Sequence, residues 1–195
     1  MASPAPLILA STSPHRRALL DRLGLRFSVE RPEVEEPRIE HESPPARALR
    51  LAAAKAQAVA ARHPRAIVIG SDQVAAAGSE ILDKPGHEAR ARQQLARLSG
   101  AAAHFHTACA VVRAEPAFGT SHLDTARVAF RTLRPDEIER YVARERPLDC
   151  AGSFKVEGLG ISLIERIEEE DPTGLIGLPL VWLAATLRQL GYEVP

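Results

Sequence analysis

The sequence predicts an α/β fold built on a mixed, elongated β-sheet flanked by helices. Three observations carry this reading. Short apolar runs ending in polar or glycine punctuation alternate with capped stretches of helical period. Two β-like stretches, 103–113 and 122–132, follow one another with no helix between them, which a purely parallel sheet does not accommodate. The 195 residues are 45% hydrophobic, enough to bury the core of one domain or of two closely joined lobes.

The elements follow in order. Leu7-Ile-Leu-Ala10 reads as a short buried strand. Ser13 then suits an N-cap and Pro14 a first helical position, opening a helix through Arg16, Arg17, Leu19, Leu20 and Leu23 that stops near Gly24. Residues 26–30 form a candidate strand, and 31–45 a loop with an acidic cluster at Glu33, Glu35 and Glu36. Ser43-Pro44 opens an alanine-rich helix from about 45 to 62. Ala66-Ile-Val-Ile-Gly70 is a second buried strand, with Ser71-Asp72-Gln73 at its carboxyl end. Residues 81–85 read as a short strand or turn, and 88–98 as a helix ending at Ser99-Gly100. After the two β-like stretches, Pro135 opens a helix through Tyr141 and Arg144. The segment 150–166 reads as a glycine-containing loop feeding a strand over 160–166, and 177–190 as the last helix.

Lys plus Arg number 25 and Asp plus Glu number 25, so the formal net charge is zero. That balance argues against a general nucleic-acid or membrane-surface binder, which is usually basic. No stretch approaches the roughly 18 apolar residues that span a bilayer. The run at Leu7 is too short for a signal peptide, and no basic segment precedes it. Cys109 and Cys150 match no zinc spacing and read as free thiols in a reducing, cytoplasmic compartment. No P-loop, G-x-G-x-x-G or H-E-x-x-H pattern is present. His104 and His106 flank Phe105 and so share one face of a strand, either as exposed residues or as a metal pair. Trp182 sits on an apolar helix and reads as core.

Four local features bear on chemistry. Ser11 to Arg17 joins a strand end to a helix start, so its free N–H groups, with Arg16 and Arg17, form either a phosphate cradle or an ordinary cap. Asp72 is either a turn residue or a carboxylate placed to hold a cation or take a proton from water. The acidic loop is either solvated or a source of oxygen ligands for Mg²⁺ or Mn²⁺. Lys55, Lys84 and Lys155 are scarce lysines in an arginine-rich chain, each a point charge for a phosphate or a surface residue.

Together these pieces resemble the Maf family of nucleotide pyrophosphatases over almost the whole chain. The matching residues are Leu7-Ile-Leu-Ala-Ser-Thr-Ser-Pro14 with Arg16-Arg17, Glu36, Lys55, Ile69-Gly-Ser-Asp-Gln73, Lys84-Pro85 and Tyr141. The match continues through Asp149-Cys-Ala-Gly-Ser-Phe-Lys155, Glu157-Gly-Leu-Gly160 and Leu175-Ile-Gly-Leu-Pro179. The resemblance implies one Maf-like domain over 1–195, with two lobes around a nucleotide-binding cleft in a Maf/ITPase-like arrangement. It implies a cytoplasmic homodimer acting on a small-molecule nucleotide with a divalent metal (Mg²⁺, Mn²⁺ or Co²⁺), without nucleic acid or membrane. Ser71-Asp-Gln73, Cys150 to Lys155 and Glu157-Gly158 look like the branch that acts on 7-methyl-GTP; the dTTP and UTP branch has an Asp-Thr pair where this chain has Asp72-Gln73. The family is also linked to septum formation, so a nucleotide-binding regulator is the reading from another class.

By resemblance, Asp72 is the proton acceptor that activates water, with Glu36 sharing the metal. Ser11, Arg16, Arg17, Lys55, Lys84 and Lys155 are the expected substrate-binding residues, and by resemblance His15, Gln73 and Glu157 occupy the positions associated with base selection. Three positions depart from the pattern. Glu35 stands where Asp is frequent, Asp83 where Gly is, and His15 where the 7-methyl-GTP branch can carry Trp. A histidine is a poorer platform for a cationic purine than a flat indole, and when protonated it opposes the base's charge.

Overall fold

The computed structural model describes residues 5–195; Met1–Pro4, part of the N-terminal stretch read from the sequence as carrying no signal peptide, lie outside the described residues. The elements are β1 (Leu7–Ala10), α1 (Pro14–Asp21), β2 (Ser28–Glu30), α2 (Pro44–Ala60), β3 (Ile67–Ala77) and β4 (Glu80–Ile81), then α3 (Glu88–Leu98), β5 (Ala102–Arg113), β6 (Phe118–Phe130) and α4 (Pro135–Glu145). Two 3₁₀ turns, Ala151–Ser153 and Leu159–Leu163, precede β7 (Ile164–Glu168) and α5 (Leu180–Gln189). The seven strands form one mixed sheet, ordered β2-β1-β3-β5-β6-β7, with β4 pairing β3. β1 is parallel to β2 and β3, and β3, β5, β6 and β7 are successively antiparallel.

Strand parity sorts the core. In β1 and β3, Ile8, Ala10, Val68 and Val74 face the alanine-rich side of α2, where Ala48, Ala52 and Ala56 are fully buried. Leu7, Leu9, Ile67 and Ile69 face the other way and pack with Leu19 and Leu20 of α1 and Leu183 and Leu187 of α5. Farther along that second face, Ala75 and Phe105 join Leu95 and Leu98 of α3, Val142 of α4 and Phe154. Trp182 packs at the edge of the α1/α5 cluster and stacks on His122, with ring centroids 5.3 Å apart.

Helix α2 approaches the sheet closely because Gly70 has no side chain. A Cβ there would lie 2.4 Å from the Ala52 carbonyl and 2.6 Å from the Ala56 amide nitrogen.

The main departure from the sequence reading concerns β3. The apolar run was expected to end at Gly70, yet the strand continues through Ser71-Asp72-Gln73 to Ala77, because β5 pairs it over Val68–Ala76. On the opposite edge, β1 stops at Ala10 beside Gly70, and β4 pairs β3 only from Ala76 onward. Residues 71–74 therefore face a gap in that edge, which closes at Ala75, where the carbonyl accepts from the Leu82 amide at 2.8 Å.

Smaller differences have local causes. Residues 82–85 are not strand. β6 begins at Phe118, earlier than expected, since it pairs β5 to the end of the hairpin. Residues 160–163 are 3₁₀, not strand, so β7 starts at Ile164. α5 starts at Leu180, because Pro179 occupies its N-cap and Gly177 takes φ 135°. Among the described residues no helix is long and apolar enough to cross a membrane.

Candidate active site

The gap in the β3 edge opens into a cleft of about 350 Å³. Ser13, His15 and Arg16 line it from the start of α1, Arg47, Leu51 and Lys55 from α2, and Asp72 to Ala75 from β3. Asp83, Lys84, Asp149, Cys150, Lys155 and Glu157 come from the segments around α3 and α4, and Leu175 and Ile176 from the loop before α5.

Parity explains the centre. Asp72 shares the α2 side of β3 with Val68 and Val74, so it meets Lys55, one turn beyond Leu51 on that helix. The Lys55 ammonium bonds Asp72 Oδ1 at 2.6 Å and Glu36 Oε1 at 2.7 Å, bridging the two carboxylates. The Lys55 and Asp72 side chains are 12% and 10% exposed, so this pair is largely dry. Burial pushes the Asp72 carboxyl above its ordinary range, and Lys55 and Arg16 only partly offset that. Burial also raises Glu36, but Lys55, Lys84 and Arg47 outweigh it and leave that carboxyl below its ordinary range.

Ser13 caps α1 by accepting a hydrogen bond from the Arg16 amide at 3.4 Å. The Arg16 guanidinium donates through Nε to the Gly177 carbonyl at 3.1 Å, and Ser71 Oγ donates to the same oxygen at 2.8 Å. Burial pulls the Arg16 guanidinium down from its ordinary value, opposed first by Asp72. The Gly177 carbonyl thus fastens α1 and β3 to the loop before α5.

Gln73 is oriented by the same loop. Its Nε2 donates to the Leu175 carbonyl at 2.8 Å and to Thr107 Oγ1 at 2.9 Å. A carbonyl accepts only, so the nitrogen must face Leu175, and the side-chain oxygen is what Gln73 has left to offer a ligand. On another wall His15 Nδ1 lies 2.8 Å from Glu157 Oε1. The Lys155 ammonium pairs with Glu145 at 3.0 Å, and the other Glu145 oxygen accepts from the Leu159 amide at 2.6 Å.

The cleft thus gathers Asp72, Lys55, Glu36, Arg16, Lys84, Lys155, His15, Gln73 and Glu157. It does not gather Ser11 or Arg17. Ser11 is buried beneath the cap, its Oγ accepting from the Ser13 amide at 3.2 Å, and Arg17 is exposed away from the lining. Of the acidic cluster only Glu36 reaches the cleft. Arg47 was missed; its spacing of four and eight from Leu51 and Lys55 puts all three on one helical face, and that is the signal that locates it. His104 and His106 stack 6.1 Å apart, but among the described residues no group of three or more His, Cys, Asp or Glu could hold a metal ion.

The lining is charge-balanced and not simply positive: Arg16, Arg47, Lys55, Lys84 and Lys155 face Glu36, Asp72, Asp83, Asp149 and Glu157. A polyanion entering this space therefore needs additional positive charge. Asp72 and Glu36 already share one cation, and Mg²⁺ is commonly held by one or two carboxylates plus substrate phosphates. The donor set fits a divalent cation of that kind.

A family model described as Maf-like protein matches residues 6–190. The chain belongs to the Maf family. The Maf match runs from β1 to the end of α5 and takes in every cleft residue named above. A protein named 7-methyl-GTP pyrophosphatase from Xanthomonas axonopodis pv. citri (strain 306) is 55% identical over 189 residues, 97% of this Maf chain and 98% of its own. One of the same name from Aromatoleum aromaticum is 53% identical, covering 97% of each chain. Another, from Alkalilimnicola ehrlichii, is 53% identical over 196 residues, 100% of this chain and 98% of its own.

Proposed function

We propose that this Maf chain is a nucleoside triphosphate pyrophosphatase acting on 7-methyl-GTP. The observation that carries the reading is the Lys55 ammonium held between Asp72 and Glu36 beside the gap in the β3 edge. The relatives named above support the substrate.

Water attacks the α-phosphorus, the bond to the bridging oxygen breaks, and pyrophosphate leaves. Asp72 takes the water's proton; burial makes this carboxylate a stronger base than an exposed one, and no hydrogen bond engages its Oδ2 among the described residues. Arg16, Arg47, Lys55 and Lys84 stabilise charge on the phosphates. Asp72 and Glu36 would hold a divalent cation, which when bound would supply positive charge to offset the triphosphate's remaining charge. Lys155, already paired with Glu145, orders the wall beside the base. Glu157 accepts from the N1–H and N2–H₂ edge of 7-methylguanine and offsets its positive charge, and the Gln73 oxygen accepts a further N–H. The unpaired thiols of Cys109 and Cys150 support a reducing, cytoplasmic setting. A homodimer completes this proposal, and sedimentation reads it directly.

The test is pyrophosphate release across a panel of triphosphates with Mg²⁺, Mn²⁺ and Co²⁺. The expected result is the highest kcat/KM for 7-methyl-GTP and loss of turnover by roughly 10²–10⁴-fold in Asp72→Asn. A higher kcat/KM for UTP or dTTP overturns the substrate, and nucleotide binding without turnover overturns the reaction.

A further inference from the structure

His15 and Glu157 reach each other from different parts of the fold. His15 sits in the first turn of α1, two residues after the N-cap Ser13. Glu157 lies on a segment fastened to α4: Lys155 pairs with Glu145, the Leu159 amide donates to Glu145, and the Lys155 amide donates to the Tyr141 hydroxyl at 3.2 Å. A Cβ on Gly158 would lie 2.4 Å from Glu145 Oε2, so that segment lies tight against α4. The His15–Glu157 contact, 2.8 Å between side chains 33% and 30% exposed, ties the start of α1 to the segment held against α4 across the cleft.

An imidazolium in the first turn of a helix faces the positive end of the backbone dipole. On its own helix the neighbouring charge is Arg16, also a cation. From the other walls, Lys155 beside Glu157 and Lys84 beside Asp83 add positive charge, and Asp149 and Cys150 stand in the intervening segment. Deeper in, Glu36 and Asp72 are held by Lys55, with Arg47 on the same helix. Among the described residues only Glu157 lies within ion-pair distance of His15.

We propose that His15 is a proton-controlled occupant of the base site: as an imidazolium it holds the Glu157 carboxylate, and a cationic purine must displace it to bind. This rests on the reading of Glu157 as the acceptor for the base. An imidazolium holds a carboxylate more firmly than a neutral imidazole does. Protonation therefore tightens the tie so that the base competes poorly, and the neutral ring yields more readily. Displacement leaves the imidazolium beside a cationic base and a helix start, so it gives up its proton.

Two measurements test this on the whole chain. In the first, KM for 7-methyl-GTP is followed from pH 5.5 to 8.5 in the wild type, His15→Ala and His15→Gln. The ratio of wild-type to variant KM should rise toward acid by about three- to five-fold, the scale of one partly exposed ion pair. Titration of the substrate itself cancels in that ratio. In the second, calorimetry of 7-methyl-GMP binding near pH 6, in buffers of different ionisation enthalpy, should show more protons released by the wild type than by either variant. A ratio that stays flat with pH, equal proton release, or a KM higher in both variants at every pH overturns the competition. A wild type that releases no pyrophosphate from 7-methyl-GTP at any pH overturns the underlying reading as well, which separates the two failures.

Discussion

A lysine that joins two carboxylates occupies the place where a divalent cation would be drawn, and this makes Lys55 a residue with a measurable signature. Lys55→Met removes the partner of a largely buried Asp72 and should lower stability by on the order of 3 kcal/mol. Added Mg²⁺ or Mn²⁺ should recover more of that loss in the variant than it adds to the wild type, read as shifts in Tm. The thiols give an independent check. Burial pushes Cys109 up to about 12, and burial with Asp149 pushes Cys150 up to about 12, from an ordinary 9.0. At pH 8 each therefore carries far less thiolate than a free thiol does. Iodoacetamide should modify the native chain slowly at both cysteines and the unfolded chain quickly, as mass spectrometry would show. Single residues were legible in the sequence where the pattern itself implied a place, as with Asp72 after an apolar run. They were not legible where the deciding partner is remote: the Gln73 amide is set by the carbonyl of Leu175, 102 positions away, and the Lys155 ammonium is held by Glu145.

Elements carry the site by being fixed to one another. Gly70→Ala would place a Cβ against the α2 backbone, which has no flexible end to move aside. The variant should unfold about 1–3 kcal/mol earlier in urea and lose turnover, since α2 carries both Lys55 and Arg47. α5 lacks a side-chain cap at its own N-cap residue; Asp171 supplies one from nine residues before the helix, Oδ2 accepting from the Val181 amide at 2.7 Å and Oδ1 from the Thr173 amide at 2.9 Å. Asp171→Ala should cost about 1–3 kcal/mol by leaving the buried Thr173 amide unmet and the Val181 amide without its cap. Because the same loop offers the Leu175 and Gly177 carbonyls to Gln73, Arg16 and Ser71, KM should rise in that variant even under conditions where it stays folded. Helix starts were readable from Ser13-Pro14 and Ser43-Pro44, whose caps are local. The length of β3 was not, because polar residues continue the strand only once β5 lies alongside, about 30 positions later.

At the scale of the whole molecule, mixed α/β character was legible from the order of elements, and balanced charge from composition. The balance of the cleft lining was not, since it depends on which carboxylates fold inward. The flank built on α1 and α5 and the flank built on α3 and α4 share β3, β5 and β6, three long strands that run beneath both. Among the described residues these continuous strands join the two flanks, which resists a hinge between them. The molecule is a gauge with a fixed throat, and a nucleotide must be accommodated by rotating rings and ammonium groups within it. The radius of gyration from solution scattering should therefore stay constant on saturation with 7-methyl-GMP, and selectivity should track the size of substituents on the purine more steeply than it would in an enzyme with jaws.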